Sequence, residues 1–189
     1  MILSLTQTVL KLTCPGVPDF YQGNEIWDFS LVDPDNRRPV DFDLREQMLD
    51  AVGERKSAEL LLNWKDGGIK LRLTRDLLHF RGDHPQLFAF GDYQAMELTG
   101  PHAENAAAYY RSHGKERLVV MVPRQTAKIG CPPVGPIWAD TLLQFPASLA
   151  SGVEWQDLLT WKKLPAAESI PVASLFSELP VCVLYATLP

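Results

Sequence analysis

The sequence predicts an α+β protein, in which a mostly helical first part at residues 1–85 precedes an antiparallel all-β sandwich at residues 86–189. Two observations support this division. Before His84, apolar residues recur every three or four positions, the spacing of helices that are buried on one face. After Pro85, short runs of β-branched and aromatic residues alternate with glycine and proline, which is typical of strands joined by turns.

The beginning of the chain predicts one helix and one strand. A helix is expected at Leu3–Thr13, with Leu5, Val9 and Leu12 on one face and a Pro-Gly pair to end it. Because no N-cap residue precedes this helix, we expect the chain to begin within an element. Val17–Tyr21 then predicts a short buried strand.

Three more helices are expected before the β part. Asp43 and Glu46 have the spacing of a capping box and predict a helix that runs to Val52. Ser57 is the predicted cap of a short helix at Ser57–Trp64. A longer helix is predicted at Ile69–Phe80, whose apolar residues lie close to one face.

The second part predicts strands separated by turn residues. Ser112–Lys115 contains a glycine between two such runs and predicts a hairpin turn. The predicted strands are Tyr93–Leu98, Ala107–Arg111, Leu118–Val122, Thr141–Phe145, Val153–Asp157 and Val181–Ala186.

The first part contains one predicted strand among its helices. A single buried strand cannot satisfy the hydrogen-bonding groups on both of its edges. A complete (β/α)8 barrel, in which such strands are paired, needs roughly 250 residues. We therefore expect residues 1–85 to be the tail of such a barrel, with its last strand and helices, and to need an upstream barrel portion as a partner.

Composition limits the possible partners. The formal net charge of -5 argues against nucleic acid, because surfaces that bind phosphate groups are basic. No apolar run reaches the roughly 18 residues of a membrane span, so no membrane partner is expected. The 3 cysteines favour free thiols in a reducing cytoplasm, and neither they nor the 4 histidines have metal-ligand spacing. We expect no metal and no cofactor.

The segment from Pro15 to Asp41 is the most informative part of the chain. Its prolines stiffen the backbone, its glycines permit turns, and its other residues are rich in Tyr, Trp, Asp, Asn and Arg. Such a loop can hold polar and aromatic side chains in fixed positions, and loops on rigid scaffolds often carry function. The segment therefore predicts a binding loop.

Five residues of this loop, Gly16, Pro18, Tyr21, Gly23 and Glu25, spell the pattern G-x-P-x-x-Y-x-G-x-E. This pattern resembles the segment at the eighth barrel strand in the alpha-amylase family of glycoside hydrolases. The resemblance implies structural roles for Gly16, Pro18, Gly23 and Glu25, with the Glu25 carboxylate as an acceptor of hydrogen bonds.

Three further runs make the resemblance more specific. The sequence DPDNRRPVD at residues 33–41 is similar to one branch of that family. The runs NWKDGGIKL at residues 63–71 and HPQLF at residues 84–88 resemble the last barrel helices of the same branch. Residues 117–124 and 175–185 resemble its β domain more loosely.

This resemblance implies a reaction that the chain does not perform alone. Enzymes of this branch are intramolecular transglucosylases, which convert the reducing-end α-1,4 bond of a malto-oligosaccharide to an α,α-1,1 bond. In the family an Asp nucleophile, a Glu acid/base and a second Asp lie on earlier barrel strands, and the motifs that carry them are absent here. We therefore assign no catalytic residue and expect a carboxyl-terminal portion whose partners are the malto-oligosaccharide and the upstream barrel.

Two other functions stay open at this point. One is a free-standing carbohydrate-binding or interaction module without chemistry. The other is part of a different alpha-amylase-family hydrolase or glucanotransferase, although the run at residues 33–41 favours the transglucosylase branch.

The resemblance places the loop over the sugar site, because loops that follow barrel strands lie on the catalytic face. We expect Asp33, Asn36, Arg37 and Arg38 to form hydrogen bonds with sugar hydroxyls, and Tyr21 to offer its ring to a glucosyl unit. The alternative is that Asp33 and Arg37 pair with each other or with barrel residues, and only fix the shape of the loop.

The tryptophans have two interpretations. Trp27 is a second candidate for the ring that contacts a sugar. Trp64, Trp138, Trp155 and Trp161 are widely scattered, so we expect them to pack in the core and between the two parts rather than to form a sugar platform.

The isolated chain is expected to self-associate. The core side of Leu5, Val9 and Leu12, and both edges of Val17–Tyr21, would lack their partners without the upstream barrel. Exposed apolar area is unfavourable by about 25 cal/mol per Å2, so a few such side chains amount to several kcal/mol.

Overall fold

The computed structural model describes residues 1–150 and 152–188, with most helices before the strands. No helix in these residues is long and apolar enough to cross a lipid bilayer. The helices are α1 (Ile2–Thr13), α2 (Phe42–Val52), α3 (Ser57–Leu62), α4 (Gly68–Asp83), α5 (Pro85–Phe90) and the short α6 (Val172–Leu175), which lies among the strands.

The predicted helices are confirmed, but two of the predicted caps are wrong. Asp41, not Asp43, caps α2, and its carboxylate accepts a hydrogen bond from the Leu44 N–H at 2.8 Å. Ser57 lies inside α3, where its hydroxyl donates to the Leu159 carbonyl in the β part at 2.8 Å. In both cases the observed cap lies one or two residues before the predicted cap. Sequence spacing alone does not fix a helix end that closely.

The strands of the described residues form two sheets with antiparallel pairing throughout. The larger has the order β1-β3-β4-β9-β6-β7 and the smaller the order β2-β5-β8. The predicted hairpin is confirmed, since His113 lies opposite Glu116 and the two residues between them form the turn. The strands are β1 (Asp92–Met96), β2 (Leu98–Thr99), β3 (Ala106–His113), β4 (Glu116–Pro123), β5 (Leu142–Gln144), β6 (Glu154–Asp157), β7 (Lys163–Pro165), β8 (Ser169–Pro171) and β9 (Cys182–Thr187).

Two of these strands, β7 and β8, were not predicted. Each has three residues, too few to show the alternation of a strand, and each ends in a proline. Both lie at sheet edges, where a missing N–H is tolerated because no ladder bond is lost.

The centre of the larger sheet is buried on both faces, which explains the continuous apolar run of β4. Leu118, Val120 and Val122 pack with the helices α1, α4 and α5. Val119 and Met121 point the other way and pack with residues of the smaller sheet. Each fully buried side chain of this kind contributes about 1.5–3 kcal/mol. β4 therefore packs against the helices on one face of the larger sheet and against the smaller sheet on the other.

The strand predicted at Val17–Tyr21 is wrong for this chain. The segment forms no strand; Val17 is 95% exposed, Pro18 is half-buried and Tyr21 is exposed. A strand needs a neighbour for its backbone hydrogen bonds, and the described part of the chain places none beside this segment.

The expectation that Leu5, Val9 and Leu12 lack partners is also wrong. All three are fully buried, because α1 packs along α4 and against β4. The helical part therefore covers its first helix with its own residues and with the larger sheet.

One buried cluster crosses the predicted boundary after residue 85. Leu77 and Leu87 of the helical part lie in it together with Tyr109 and Val183 of the β part. The two parts thus share a core, and their division into two domains stays a prediction.

Candidate functional site in the loop between the first two helices

The candidate site is the loop of residues 14–41, which connects α1 to α2. Its regular structure is one turn of 3-10 helix at Asp35–Arg37. Beside the start of α2 the loop surrounds a recess of about 290 Å3, near the lower end of ligand pockets. Its polar lining comes from Gln22, Asp28, Ser30, Asn36, Arg38, Asp41 and Arg45, next to Trp27.

Two arginines hold the start of the loop. Arg81 on α4 donates to the carbonyls of Leu12 at 2.9 Å and Gly16 at 2.5 Å. Arg111 on β3 is buried and donates to the Thr13 carbonyl at 3.5 Å. The Leu12 and Thr13 carbonyls lie at the end of α1, where the helix carries partial negative charge, so both guanidinium groups are favourably placed. Burial lowers the pKa of both arginines.

The middle of the loop is held against α4 and against the 3-10 turn that precedes it. The Trp27 indole donates to the Trp64 carbonyl at 2.6 Å, and the Lys70 ammonium donates to the Ile26 carbonyl at 3.0 Å. Burial is the main reason that the pKa of Lys70 is lowered. A Cβ at Gly67, whose φ is +83°, would lie 2.8 Å from the Cβ of Ile26, so glycine is required for this close approach.

Arg45 on α2 holds the end of the loop. Its guanidinium donates to the Glu25 carboxylate at 3.1 Å and to the carbonyls of Gly23 at 3.1 Å and Asp41 at 2.9 Å. Gly23 has a φ of +91°, where a side chain would be strained. This geometry suits the structural role that the motif predicts for Glu25 and Gly23.

The recess brings together two of the five residues that were predicted to bind sugar. Asn36 and Arg38 line it, whereas Tyr21, Asp33 and Arg37 lie outside its lining. Asp33 and Arg37 form an exposed ion pair, with one contact of 3.0 Å. This is the pairing that the loop-bracing alternative describes, and both side chains remain open to solvent.

Asn36 is the least satisfied polar residue of the recess. Its side-chain oxygen is buried and has no hydrogen-bond partner in the described part of the chain, an unfavourable state for a buried acceptor. Its neighbour Arg38 is paired with Asp35, whose other carboxylate oxygen accepts a bond from the Leu31 N–H at 2.8 Å. Asn36 therefore holds an acceptor that the described residues leave unused.

Sequence reasoning missed Asp28, Ser30 and Arg45. Ser30 donates to the Asp28 carboxylate from its N–H at 2.8 Å and from its hydroxyl at 2.5 Å, and these bonds lower the pKa of Asp28. An Asp two residues before a Ser is a local turn pattern that could have been found. Arg45 had no such signal, because its partner Glu25 lies 20 residues away.

The chemistry that this arrangement allows is hydrogen bonding to a neutral ligand. Carboxylate and amide oxygens accept, arginine and serine groups donate, and the Trp27 ring offers an apolar face. Sugar hydroxyls both donate and accept, so a polyhydroxylated ligand suits this set. Within residues 1–150 and 152–188 no group of three His, Cys, Asp or Glu side chains is placed to hold a metal ion.

The chain is similar over almost its whole length to part of a much longer protein. It is 36% identical over 181 residues to the putative maltooligosyl trehalose synthase of Mycobacterium tuberculosis. The match covers 96% of this chain and 20% of that relative, so the chain spans about a fifth of the length of the curated relatives that it matches. No protein-family model matches the chain.

Solved structures show the same relationship. The maltooligosyltrehalose synthase from Arthrobacter ramosus superposes with a TM-score of 0.74 at 31% identity, over 97% of this chain and 22% of that one. An alpha-amylase from Geobacillus thermoleovorans superposes with a TM-score of 0.59 at 17% identity, which shows a shared fold alone. The matched region again covers only part of each larger protein: 32% of the amylase chain is covered.

Proposed function

We propose that this chain, a homologue of the maltooligosyl trehalose synthases as its loop motifs predicted, forms the carboxyl-terminal part of such an enzyme. Joined to the upstream portion, it would take part in converting the reducing-end α-1,4 bond of a malto-oligosaccharide to an α,α-1,1 bond. The observation that carries the proposal is 36% identity over 96% of the chain, matched to a fifth of the relative. A cytoplasmic location stays a prediction.

We infer that the chain alone is inactive. Retaining chemistry needs two carboxyl groups about 5–5.5 Å apart, one to attack and one to donate a proton. In the recess, the bonds from Ser30 favour the ionised form of Asp28, so it is a poor proton donor. Glu25 is held in an ion pair with Arg45. These environments support a binding role for the loop, with the catalytic carboxylates on the upstream portion.

In this proposal the loop contributes one wall of the sugar site. Asn36 and Arg38 would contact hydroxyls inside the recess, where they already line the surface. Tyr21, Asp33 and Arg37 are exposed beside it and would meet substrate only when the upstream portion is present.

A binding module without chemistry is the second candidate. It is favoured by the recess itself, which this chain forms from its own residues. A different alpha-amylase-family hydrolase has no comparable support, because the amylase structures share the fold at low identity alone.

Complementation tests the proposal. Maltoheptaose is incubated with the purified chain, and then with the chain co-expressed with the upstream four-fifths of the Mycobacterium tuberculosis relative; reducing ends and trehalosyl products are measured. We expect reducing ends to disappear only in the second case. Rearrangement by the chain alone, or no product in either case, contradicts the proposal, and the second result favours the binding module.

Two loop variants test the assigned contacts in the complemented enzyme. Asn36→Ala should lower kcat/KM about five-fold, since one hydrogen bond contributes about 1 kcal/mol. Arg37→Ala should lower it similarly if the side chain leaves Asp33 to meet substrate. Arg124→Ala, an exposed arginine in the β part, is the matched control and should have no effect. Activity unchanged in Arg37→Ala would assign that residue to loop bracing.

A further inference from the structure

Trp161 is a large aromatic residue that the core does not explain. Trp138 and Trp155 are fully buried and Trp64 is half-buried, which agrees with the packing predicted for them. Trp161 is 63% exposed, belongs to neither buried cluster, and so departs from that prediction. Leaving so much apolar ring in water gains no burial energy, so packing in the core does not account for this residue.

The backbone at Trp161 is unusual as well. The residue closes the turn between β6 and β7, where its N–H donates to the Asp157 carbonyl at 2.9 Å. Its φ is +62°, in the left-handed region that glycine adopts without strain and bulky residues avoid. Such outliers persist at ligand sites more often than elsewhere. Folding alone would favour glycine at this position.

The ring lies at the edge of a recess of about 370 Å3 between this turn and α4. From α4, the residues Arg75, Asp76, His79 and Asp83 line it. The Asp76 carboxylate is paired with Arg75, with a contact of 2.7 Å, and also with Arg72, so its charge is compensated within the protein. His79 and Asp83 are exposed, and the described residues provide neither side chain with a hydrogen-bond partner.

We propose that this recess is a second site for a malto-oligosaccharide chain. The Trp161 ring would stack on the apolar face of one glucosyl unit, while His79 and Asp83 bond its hydroxyls. The exposed Asp83 carboxylate disfavours an anion, and an aromatic ring beside groups that bond hydroxyls suits a neutral polyhydroxylated ligand. The choice of α-glucan among neutral sugars rests on the proposed function.

This second site is separate from the loop between α1 and α2. That loop contacts α4 through Lys70, whereas the Trp161 recess uses His79 on the same helix. Nine residues of helix separate them by roughly 13 Å along the axis, at 1.5 Å per residue. The two recesses also share no lining residue, so the Trp161 recess is a separate surface.

Binding of maltoheptaose to the isolated chain tests this inference. Trp161→Gly removes the ring and relieves the backbone, so the fold is kept and a loss of binding cannot be attributed to unfolding. We expect the dissociation constant, measured by calorimetry, to rise about ten-fold or more, as for other aromatic residues at binding hot spots. Trp161→Phe should retain most of the affinity. Phe90→Ala, which truncates another exposed aromatic residue, should bind like the wild type.

The outcomes separate this site from the proposed enzyme function. Saturable binding that Trp161→Gly weakens supports the site, whether or not the complementation experiment yields product. No saturable binding, or equal binding by Trp161→Gly, overturns it even where complementation succeeds. The proposal is also overturned if the upstream portion protects Trp161 from solvent, because the ring would then belong to an interface within the enzyme.

Discussion

Two arginine–carboxylate pairs in the candidate loop differ in exposure. The side chains of Arg45 and Glu25 are 16% and 29% exposed, whereas those of Arg37 and Asp33 are 69% and 57% exposed. Water screens the exposed pair, so it contributes little to stability. The more buried pair also ties α2 to the Gly23 carbonyl, so it fixes the loop.

This contrast predicts different effects of two matched substitutions. Arg45→Ala should lower the free energy of unfolding by about 1.5–3 kcal/mol, since it removes charge-assisted hydrogen bonds from partly buried acceptors. Arg37→Ala should lower it by less than about 1 kcal/mol, as for other surface pairs. Urea denaturation of both variants checks the order, and an equal loss in the two would contradict the assigned roles.

At the scale of elements, the turn between β6 and β7 is organised by one buried carboxylate. Asp157 accepts hydrogen bonds from the Leu159 N–H at 3.0 Å and from the Thr160 hydroxyl at 2.5 Å. Its backbone carbonyl accepts the bond from Trp161. Asp157 thus sets the shape of the turn that presents the Trp161 ring.

Burial raises the pKa of Asp157 above 3.8, although the bonds from Thr160 and Leu159 oppose the shift. The folded state therefore holds the proton to a higher pH than the unfolded chain. The raised pKa therefore contributes to the free energy of unfolding at low pH. That contribution is complete below about pH 3.8 and is lost as the pH rises through the folded-state pKa.

Asp157→Asn should remove that pH dependence, because the amide does not titrate. We expect the free energy of unfolding of the wild type, relative to the variant, to decrease as the pH rises above about 3.8. Urea denaturation of both proteins between pH 4 and 7 measures this difference in the free energy of unfolding. The altered hydrogen bonds add a part that does not change with pH. A difference that does not change with pH would refute the assignment.

For the whole molecule, the exposed apolar residues are concentrated around the candidate loop. Val17, Phe29, Val32 and Phe42 all lie within residues 17–42 and are exposed. A second apolar surface is a recess of about 860 Å3 whose lining includes Leu62. Exposed apolar surface concentrated in this way suits a contact with another protein portion, and in the proposed function that portion would be the upstream barrel.

The isolated chain should therefore self-associate through this loop surface. We expect its mass, measured by light scattering after size exclusion, to rise with concentration, and the double variant Phe29→Ser, Val32→Lys to reduce the effect. Phe90→Ser, a change at an exposed phenylalanine outside the loop, is the control. A monomer at every concentration would contradict the prediction, as would equal association of the double variant.

Much of the secondary structure could be predicted from the sequence because it depends on nearby residues. The helix α1 follows from Leu5, Val9 and Leu12 at helical spacing, and the β3–β4 hairpin follows from a glycine between two apolar runs. The predictions failed at two helix caps, each by one or two residues, and where the partner is distant. Val17–Tyr21 has the residues of a strand, but the described chain places no strand beside it.

The same contrast between nearby and distant residues applies to the candidate site. Its position could be predicted, because the motif and the run at residues 33–41 lie in one continuous loop. The pairing of Arg45 with Glu25, the exposure of Trp161 and the lack, among the described residues, of a partner for the Asn36 oxygen could not be predicted. Each depends on which distant segments pack together.

The sequence by itself predicted most of the helices and strands, the position of the candidate loop and the similarity to the maltooligosyl trehalose synthases, since these depend on residue types at short spacing. Only the tertiary structure decided which loop residues meet in the recess and which tryptophan stays outside the core. The physical reason is that burial and ion pairing are properties of contacts between remote parts of the chain.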